Sequence, residues 1–175
     1  MFEEEENFDF ERYKQLPVFK KAEDILIMAE KLAELINDSI ENKLEDAELM
    51  MAKSYTQNIL ENALIIGAKI AGAEAVELYD IKMENAAIIR KAAREIQTFC
   101  TGLTMFDLDE LEYLELLREE VELFRVEFAE WVKTFDPWNY IIDRWGLFNP
   151  PGVNYDDHDP DDDIPFNPED FLGEG

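Results

Sequence analysis

Hydrophobic residues recur at helical spacing over most of this chain. The first predicted helix begins near Leu16 and Pro17, because proline is tolerated in the first helical turn. Its apolar residues follow one another at steps of three or four and therefore share one helical face. Polar residues 37–39 predict the end of this helix, followed by a loop to about Leu44. The apolar face consists of Val18, Ala22, Ile25, Ala29, Leu32 and Ile36.

Two further helices are predicted in the middle of the chain. The second occupies about residues 45–71 and is apolar around much of its circumference. Residues 72–77 are the expected break before the third helix, which extends to about Thr101. Gly102 is expected to end it in the left-handed conformation, which glycine adopts without steric cost. The apolar face of the third helix consists of Ala86, Ile89, Ala93, Ile96, Cys100 and Leu103.

The fourth predicted helix has the most regular apolar face. Asp107 or Asp109 is expected to cap its first turn by accepting a hydrogen bond from an unpaired backbone amide. Proline, which costs about 3 kcal/mol inside a helix, does not occur between Pro17 and Pro137. The chain is therefore predicted to be all-α, with an antiparallel up-down-up-down four-helix bundle over residues 13–135. The fourth apolar face consists of Leu114, Leu117, Val121, Phe124, Phe128, Trp131 and Phe135.

The composition changes on both sides of the predicted bundle. Residues 1–12 form an acidic N-terminal arm, and residues 136–175 form a C-terminal extension that is first aromatic and then acidic. The aromatic part is expected to form one short helix ending at Gly146. Its composition fits either a flap over one end of the core or a docking element for an apolar, basic-rimmed groove of a partner. The candidate partner-binding residues are Trp138, Tyr140, Trp145 and Phe148.

The chain is strongly acidic, with 42 acidic residues, 16 basic residues and a net charge of −26. Phosphate binding needs clustered lysine and arginine, and a field of this sign repels a polyanion. Direct nucleic-acid binding is therefore disfavoured, and a basic protein is the expected partner. No apolar run approaches the roughly 20 residues that span a bilayer, and the acidic start is unlike a signal peptide. We expect a soluble, cytoplasmic protein with no membrane partner.

Two acidic patterns imitate metal sites without completing them. A ferritin-like di-iron site needs histidines on two helices, and the single histidine, His158, lies in the extension. Asp159, Asp161 and Asp163 imitate the start of a calcium-binding loop. The later positions of that loop, which need a glycine and a glutamate, hold other residues. We therefore predict no dedicated metal site.

Motifs for catalysis are missing as well. Cys100 lies on the apolar face of the third helix, where a thiol behaves as a small hydrophobic residue. The chain contains no glycine-rich phosphate loop, serine nucleophile elbow or histidine–glutamate metal motif. We predict that the chain has no catalytic residue and no cofactor and is not an enzyme.

Three stretches within residues 13–135 carry a resemblance to a known family. Residues 16–22 read Leu-Pro-Val-Phe-Lys-Lys-Ala and match an opening of the form Leu-x-Val-aromatic-x-x-Ala. Residues 70–74 are similar to a helix end rich in small residues, and Gly102 and Leu103 lie at a comparable turn. In these respects the chain resembles the 23S ribosomal RNA intervening-sequence protein family, whose relatives include the accessory variability protein of diversity-generating retroelements.

The resemblance implies a four-helix bundle that assembles into rings, often pentamers, and acts by binding rather than by catalysis. The accessory protein of the retroelements is basic and binds its reverse transcriptase and RNA, whereas this chain is acidic. The resemblance therefore implies a ring without RNA binding, in the setting of a mobile genetic element or a phage particle.

Two functions are consistent with these observations. The first is a non-catalytic, oligomeric scaffold or adaptor, in which surplus apolar positions on the second and third helices form the subunit interface and the aromatic residues contact a partner. The alternative is an acidic inhibitor whose carboxylates imitate the phosphates of nucleic acid in the groove of a DNA- or RNA-binding protein. Binding by such a mimic would weaken steeply with salt, whereas binding through aromatic residues would not.

Overall fold

The computed structural model describes residues 11–159, and α-helices make up most of that span. A short 3-10 helix over Arg12–Gln15 precedes four α-helices. No strand occurs among the described residues, so the predicted all-α fold is confirmed. The helices are α1 (Pro17–Lys43), α2 (Asp46–Glu74), α3 (Tyr79–Leu103) and α4 (Leu111–Val132).

The four helices form a bundle in which sequence neighbours are also spatial neighbours. Helix α1 packs against α2 and α4, and α3 packs against the same two helices. Within residues 11–159, the backbones of the two diagonal pairs of helices lie further apart than those of neighbouring helices. Because the links between successive helices are short, neighbouring helices run antiparallel. The predicted up-down-up-down four-helix bundle is therefore confirmed.

The core consists of the apolar faces that the sequence predicts. Every predicted residue of the α1 and α3 faces is buried, and isoleucine supplies much of the core volume. Burying one isoleucine or leucine side chain contributes about 1.5–3 kcal/mol. The α4 face is buried except at Phe128, which stays partly exposed beside the groove between α3 and α4.

Helix α1 is longer than predicted. Residues 37–39 do not end it, and it continues to Lys43. Ile40 explains the difference, because it lies one turn beyond Ile36 and is fully buried. Burial of this side chain outweighs the low helix propensity of the preceding polar residues. The predicted loop is reduced to Leu44 and Glu45.

The break between α2 and α3 also lies later than predicted. Helix α2 passes through Gly72 and ends at Glu74. Ala73 is fully buried and extends the apolar face that contains Ile66 and Ile70. The glycine therefore lies inside the helix, and residues 75–78 form the link to α3.

The predicted C-cap role of Gly102 is wrong. Gly102 lies inside α3, and the only positive-φ glycines among the described residues are Gly146 and Gly152. A Cβ atom at position 102 would lie 2.6 Å from Cε2 of Tyr55. Gly102 is therefore needed for the close approach of the Tyr55 ring to α3.

Helix α4 begins without the predicted side-chain cap. Glu110 occupies the N-cap position, and no side chain hydrogen-bonds to the first turn. Asp109 instead forms an ion pair with Lys43 at 2.8 Å, which links this end of α4 to the end of α1. At its other end, α4 stops at Val132, and Phe135 is buried in the turn that follows.

The described part of the extension, residues 136–159, contains turns and no helix. The prediction of a short helix ending at Gly146 is therefore wrong, because local hydrogen bonds to Asp143 hold the backbone in another conformation. The acidic arm before residue 11 and the aspartates at 161 and 163 lie outside the described residues. None of the helices within residues 11–159 combines the length and apolar character needed to cross a membrane.

Candidate functional site

The chain that follows α4 is fastened to the start of α3. Asn139 accepts a hydrogen bond through its backbone oxygen from the amide of Tyr79 at 2.7 Å. Its side-chain Nδ2 donates to the carbonyl of Glu77 at 3.2 Å. The first amides of a helix have no partner within the helix, so Asn139 satisfies one of them at the start of α3. Asp80, in the first turn of α3, accepts a further bond from the amide of Ile141.

Asp143 organises the next turn. Its carboxylate accepts hydrogen bonds from the amides of Trp145 at 2.9 Å, Leu147 at 2.8 Å and Phe148 at 2.9 Å. These bonds favour the ionised form, so the pKa of Asp143 lies below its ordinary value, with the bond from Phe148 as the largest cause. One carboxylate therefore fixes the backbone of all three residues.

Asn149 closes this turn with a reciprocal pair of hydrogen bonds. The amide of Asp143 donates to Oδ1 of Asn149 at 2.7 Å, and Nδ2 of Asn149 donates to the carbonyl of Asp143 at 2.9 Å. Gly146 has a φ of 73°, a conformation that glycine adopts without strain. Pro150 is buried immediately afterwards. We call residues 138–149 the aromatic loop; its backbone is held by its own side chains and by α3.

The four predicted partner-binding residues all lie on the aromatic loop, but they have two environments. Trp138 and Trp145 are 87% and 90% exposed, whereas Tyr140 and Phe148 are partly buried. Phe148 and Trp145 line the same cleft, of about 380 Å³. Trp138 and Tyr140 do not line it. The structure therefore brings two of the four residues together.

The walls of this cleft are acidic. Asp80 and Glu84 of α3 line one side, and Asp143 and Leu147 of the loop line the other together with the two aromatic rings. A positively charged side chain is the complementary occupant, because carboxylates attract it and the face of an indole ring adds a cation–π interaction.

The exposed fractions of the aromatic side chains distinguish between the two predicted roles of the aromatic loop, a flap over the core and a docking element. Trp131 and Phe135 of the bundle already close this end of the core, with ring centroids 4.8 Å apart. Trp131 also donates from Nε1 to Glu74 at 2.8 Å. Trp138 and Trp145 contribute little to this closure, because almost all of their surface faces solvent. The two tryptophans therefore do not act as a flap over the core, and Tyr140 and Phe148 are partly buried.

The sequence analysis missed the structural role of Asp143 and the exposure of two apolar neighbours. Ile141 is 57% exposed and Leu147 is 74% exposed, so the loop presents more apolar surface than its aromatic rings alone. The signal available in the sequence was an aspartate followed three residues later by glycine and six residues later by asparagine, which is typical of a side-chain-stabilised turn.

Surplus apolar residues were expected on the second and third helices, and the structure exposes large apolar side chains on α2 and α4. Helix α3 has no exposed large hydrophobic residue, so exposure gives the expected subunit interface less support on the third helix than on the second. Helix α2 does carry such residues, and α4 carries others that were not expected to be exposed. On α2 they are Met50, Met51, Leu64 and Ile65, and on α4 they are Leu111, Tyr113, Leu116, Leu123 and Val126.

Cys100 is a core residue, as predicted. It is fully buried, and burial raises the pKa of its thiol to about 12. A thiol in this environment stays protonated and is a poor nucleophile at neutral pH. Among residues 11–159, no group of acidic, cysteine or histidine side chains is arranged to hold a metal ion.

Comparisons with protein-family models, with curated proteins and with solved structures gave no match to this chain. The resemblance to the intervening-sequence family therefore stays a prediction based on residues 13–135.

Proposed function

We propose that this chain is a non-catalytic adaptor or scaffold that binds a protein partner through the aromatic loop. The observation that carries the proposal is the exposure of Trp138 and Trp145, at 87% and 90%, on a loop whose backbone is fixed by hydrogen bonds. The four-helix bundle is the rigid body that presents this loop.

Exposed tryptophans on an ordered loop suit docking for two physical reasons. A tryptophan buries about 150–250 Å² when a partner covers it, and tryptophan is enriched among the residues that dominate binding energy. A loop that is already ordered loses less conformational entropy on binding than a flexible one. The hydrogen bonds of Asp143 and Asn149 therefore prepare Trp145 for contact.

The partner is expected to be a basic protein. The chain carries a net charge of −26, and the cleft beside Trp145 is lined by Asp80, Glu84 and Asp143. Such a field accelerates encounter with a positively charged protein. The tryptophans supply apolar contact area that screening by salt does not remove.

Self-assembly is the second part of the proposal. Leu64 and Ile65 are 56% and 38% exposed on α2, and Met50 and Met51 are exposed near the start of the same helix. We infer that this surface of α2 forms the subunit interface. The ring, its size of five subunits, the setting in a mobile element or phage particle and the cytoplasmic location come from the sequence analysis and stay predictions.

The alternative, a mimic of nucleic-acid charge, has weaker support on α4. Of the glutamates along this helix, four form ion pairs with lysine or arginine, which neutralises part of the surface that would imitate phosphates. These four are Glu115, Glu120, Glu122 and Glu130.

Capture of binding proteins from a cell extract tests the adaptor, with the full chain as bait. Trp138→Ala/Trp145→Ala is compared with Met105→Ala/Tyr113→Ala, which removes two exposed apolar side chains far from the loop in sequence. We expect the first variant to capture about one tenth or less of the amount of partner protein that the wild type captures. The reason is that contact tryptophans each contribute roughly 2 kcal/mol or more to binding. The control is expected to retain it fully.

Equal capture by both variants would contradict the role of the aromatic loop. Repeating the capture at about 0.1 M and about 1 M salt separates the two functions, because screening weakens a charge mimic far more than an aromatic contact. If capture were lost at high salt and were unchanged by the tryptophan substitutions, the result would favour the nucleic-acid mimic.

A further inference from the structure

A shallow groove of about 280 Å³ runs between α3 and α4, away from the aromatic loop's cleft. Its floor is apolar and includes Ala93 from α3 and Phe124 and Phe128 from α4. The groove exists because a small residue of α3 faces large aromatic residues of α4. Phe128 is consequently the one residue of the predicted α4 face that is not fully covered.

The rim of this groove is basic in a chain that is otherwise acidic. Arg90 and Arg94 line one side and Arg125 lines the other, so three of the chain's six arginines surround one groove. Arg90 and Arg94 are one helical turn apart, where like charges repel each other. Within residues 11–159, neither guanidinium lies within ion-pair distance of a carboxylate.

The nearest carboxylate at the groove is already engaged. Glu122 accepts a hydrogen bond from Nε of Arg125 at 2.8 Å and another from Nε2 of Gln97 at 2.7 Å. These two bonds favour the ionised form, and the pKa of Glu122 lies below its ordinary value, with Arg125 as the first cause. Arg90 and Arg94 therefore remain available for an acidic ligand.

We propose that this groove binds the chain's own C-terminal segment, residues 160–175. That segment contains six acidic residues and no basic one, together with four large apolar residues that match an apolar floor with a basic rim. The apolar residues are Ile164, Phe166, Phe171 and Leu172. Charge complementarity and apolar burial both favour this pairing. The proposal is independent of the function proposed for the aromatic loop.

The segment begins close enough to reach the groove. Arg144 donates from Nη1 to the carbonyls of Tyr155 at 3.0 Å and Asp157 at 2.8 Å, which holds this stretch beside the aromatic loop. The adjacent cleft is lined by Glu84 of α3. Arg90 lies six residues further along the same helix, about 9 Å at 1.5 Å per residue. A chain of 16 residues spans up to roughly 50 Å.

A spin label near the C-terminus tests the proposal in the full-length protein. Gly173→Cys introduces one reactive thiol, because Cys100 is buried and its thiol pKa is raised to about 12. A nitroxide on this cysteine broadens the NMR signals of nearby amides. We expect the strongest broadening at Ala93 and Gln97 of the groove, and clearly weaker broadening at the exposed side of α2, which packs behind α3.

Charge reversal of the groove provides the matched comparison. Arg90→Glu/Arg94→Glu is expected to reduce this broadening roughly tenfold, because two attractions become two repulsions. The control, Lys20→Glu/Lys31→Glu, changes the net charge equally at two exposed lysines of α1 and is expected to leave the broadening unchanged. Helical circular dichroism checks that all variants are folded.

Three outcomes would overturn the proposal. Broadening that is absent or evenly spread would show that the segment does not bind the groove. Broadening seen only when labelled and isotope-enriched chains are mixed would assign the groove to another copy. Broadening of the groove from a label at Glu4→Cys, and not from the label at position 173, would make the N-terminal arm the occupant.

Discussion

Single residues in this protein have roles that depend on the particular groups they contact. Gly102 is an example, because it has no special backbone conformation and its only requirement is space for Tyr55. Asp143 is another, because its carboxylate replaces the backbone hydrogen bonds that a helix would have made. In both cases the residue type is one that favours turns, and the structure shows which groups the residue contacts.

Gly102→Ala is expected to destabilise the protein by about 1–2 kcal/mol. The new methyl group would overlap the ring of Tyr55, which would have to shift from its position against Phe99 and Phe106. Overpacking costs about 1–3 kcal/mol, and the better helix propensity of alanine recovers up to about 1 kcal/mol. Urea denaturation measures the difference in the free energy of unfolding.

Gly67→Ala is the matched control for this substitution. A Cβ atom at this helical position would lie 3.9 Å from Cε2 of Phe19, an ordinary contact distance. The substitution is therefore expected to stabilise the protein by about 0.4–1 kcal/mol. If both alanines changed stability by the same amount, the steric account of Gly102 would be wrong.

The aromatic loop is expected to loosen in acid through Asp143. The pKa of this group is lowered in the folded protein, so its contribution is complete above the ordinary value of 3.8 and is lost as the pH falls through the lower folded pKa. NMR titration of the Phe148 amide from about pH 6 to about pH 2 follows this loss. In Asp143→Asn the amide should lack this transition and exchange faster with solvent at neutral pH. An unchanged titration in the variant would assign the transition to another group.

Among the helices, hydrophobic periodicity predicted the bundle, whereas burial against other helices determined where the helices end. The apolar faces could be read from the sequence because each repeats at steps of three and four residues. The extension of α1 to Lys43 and of α2 to Glu74 depends on whether Ile40 and Ala73 reach a core formed by other helices. The shape of the aromatic loop depends in the same way on contacts with α3, which local propensity does not contain.

Ile40→Ala tests the account of the α1 end. The side chain is fully buried, so its truncation leaves a cavity and is expected to cost about 2–5 kcal/mol in the free energy of unfolding. Leu35→Ala is the control, because this leucine of the same helix is 44% exposed and its truncation should cost less than about 1 kcal/mol. Urea denaturation measures both. Similar costs for the two variants would mean that Ile40 does not anchor the helix end.

For the whole molecule, the described surface includes an acidic cleft beside exposed tryptophans, exposed apolar residues on α2 and α4, and a basic groove between α3 and α4. The sequence predicted the tryptophans and the α2 surface, because composition and periodicity mark both. The groove could not be predicted, because it depends on how Arg90, Arg94 and Arg125 from two helices meet around a half-covered Phe128.

Light scattering tests self-assembly through α2. One chain has a mass of 20.4 kDa, and we expect the wild type to have a multiple of this mass at micromolar concentration. Leu64→Lys/Ile65→Lys should reduce the mass to that of one chain, because burying two unpaired charges at an interface opposes association. Leu116→Lys/Leu123→Lys on α4 is the control and should keep the wild-type mass. A wild type that stays monomeric would exclude the interface.

The proposed docking depends above all on contact between Trp145 and another protein. Replacing Trp145 with a photoreactive benzoylphenylalanine and irradiating cells that produce the full chain tests this contact directly, with the same replacement at exposed Lys31 of α1 as the control. We predict covalent attachment of a second polypeptide at position 145 and none at position 31. Attachment at neither position, or equal attachment at both, would contradict the claim that the aromatic loop is the docking element.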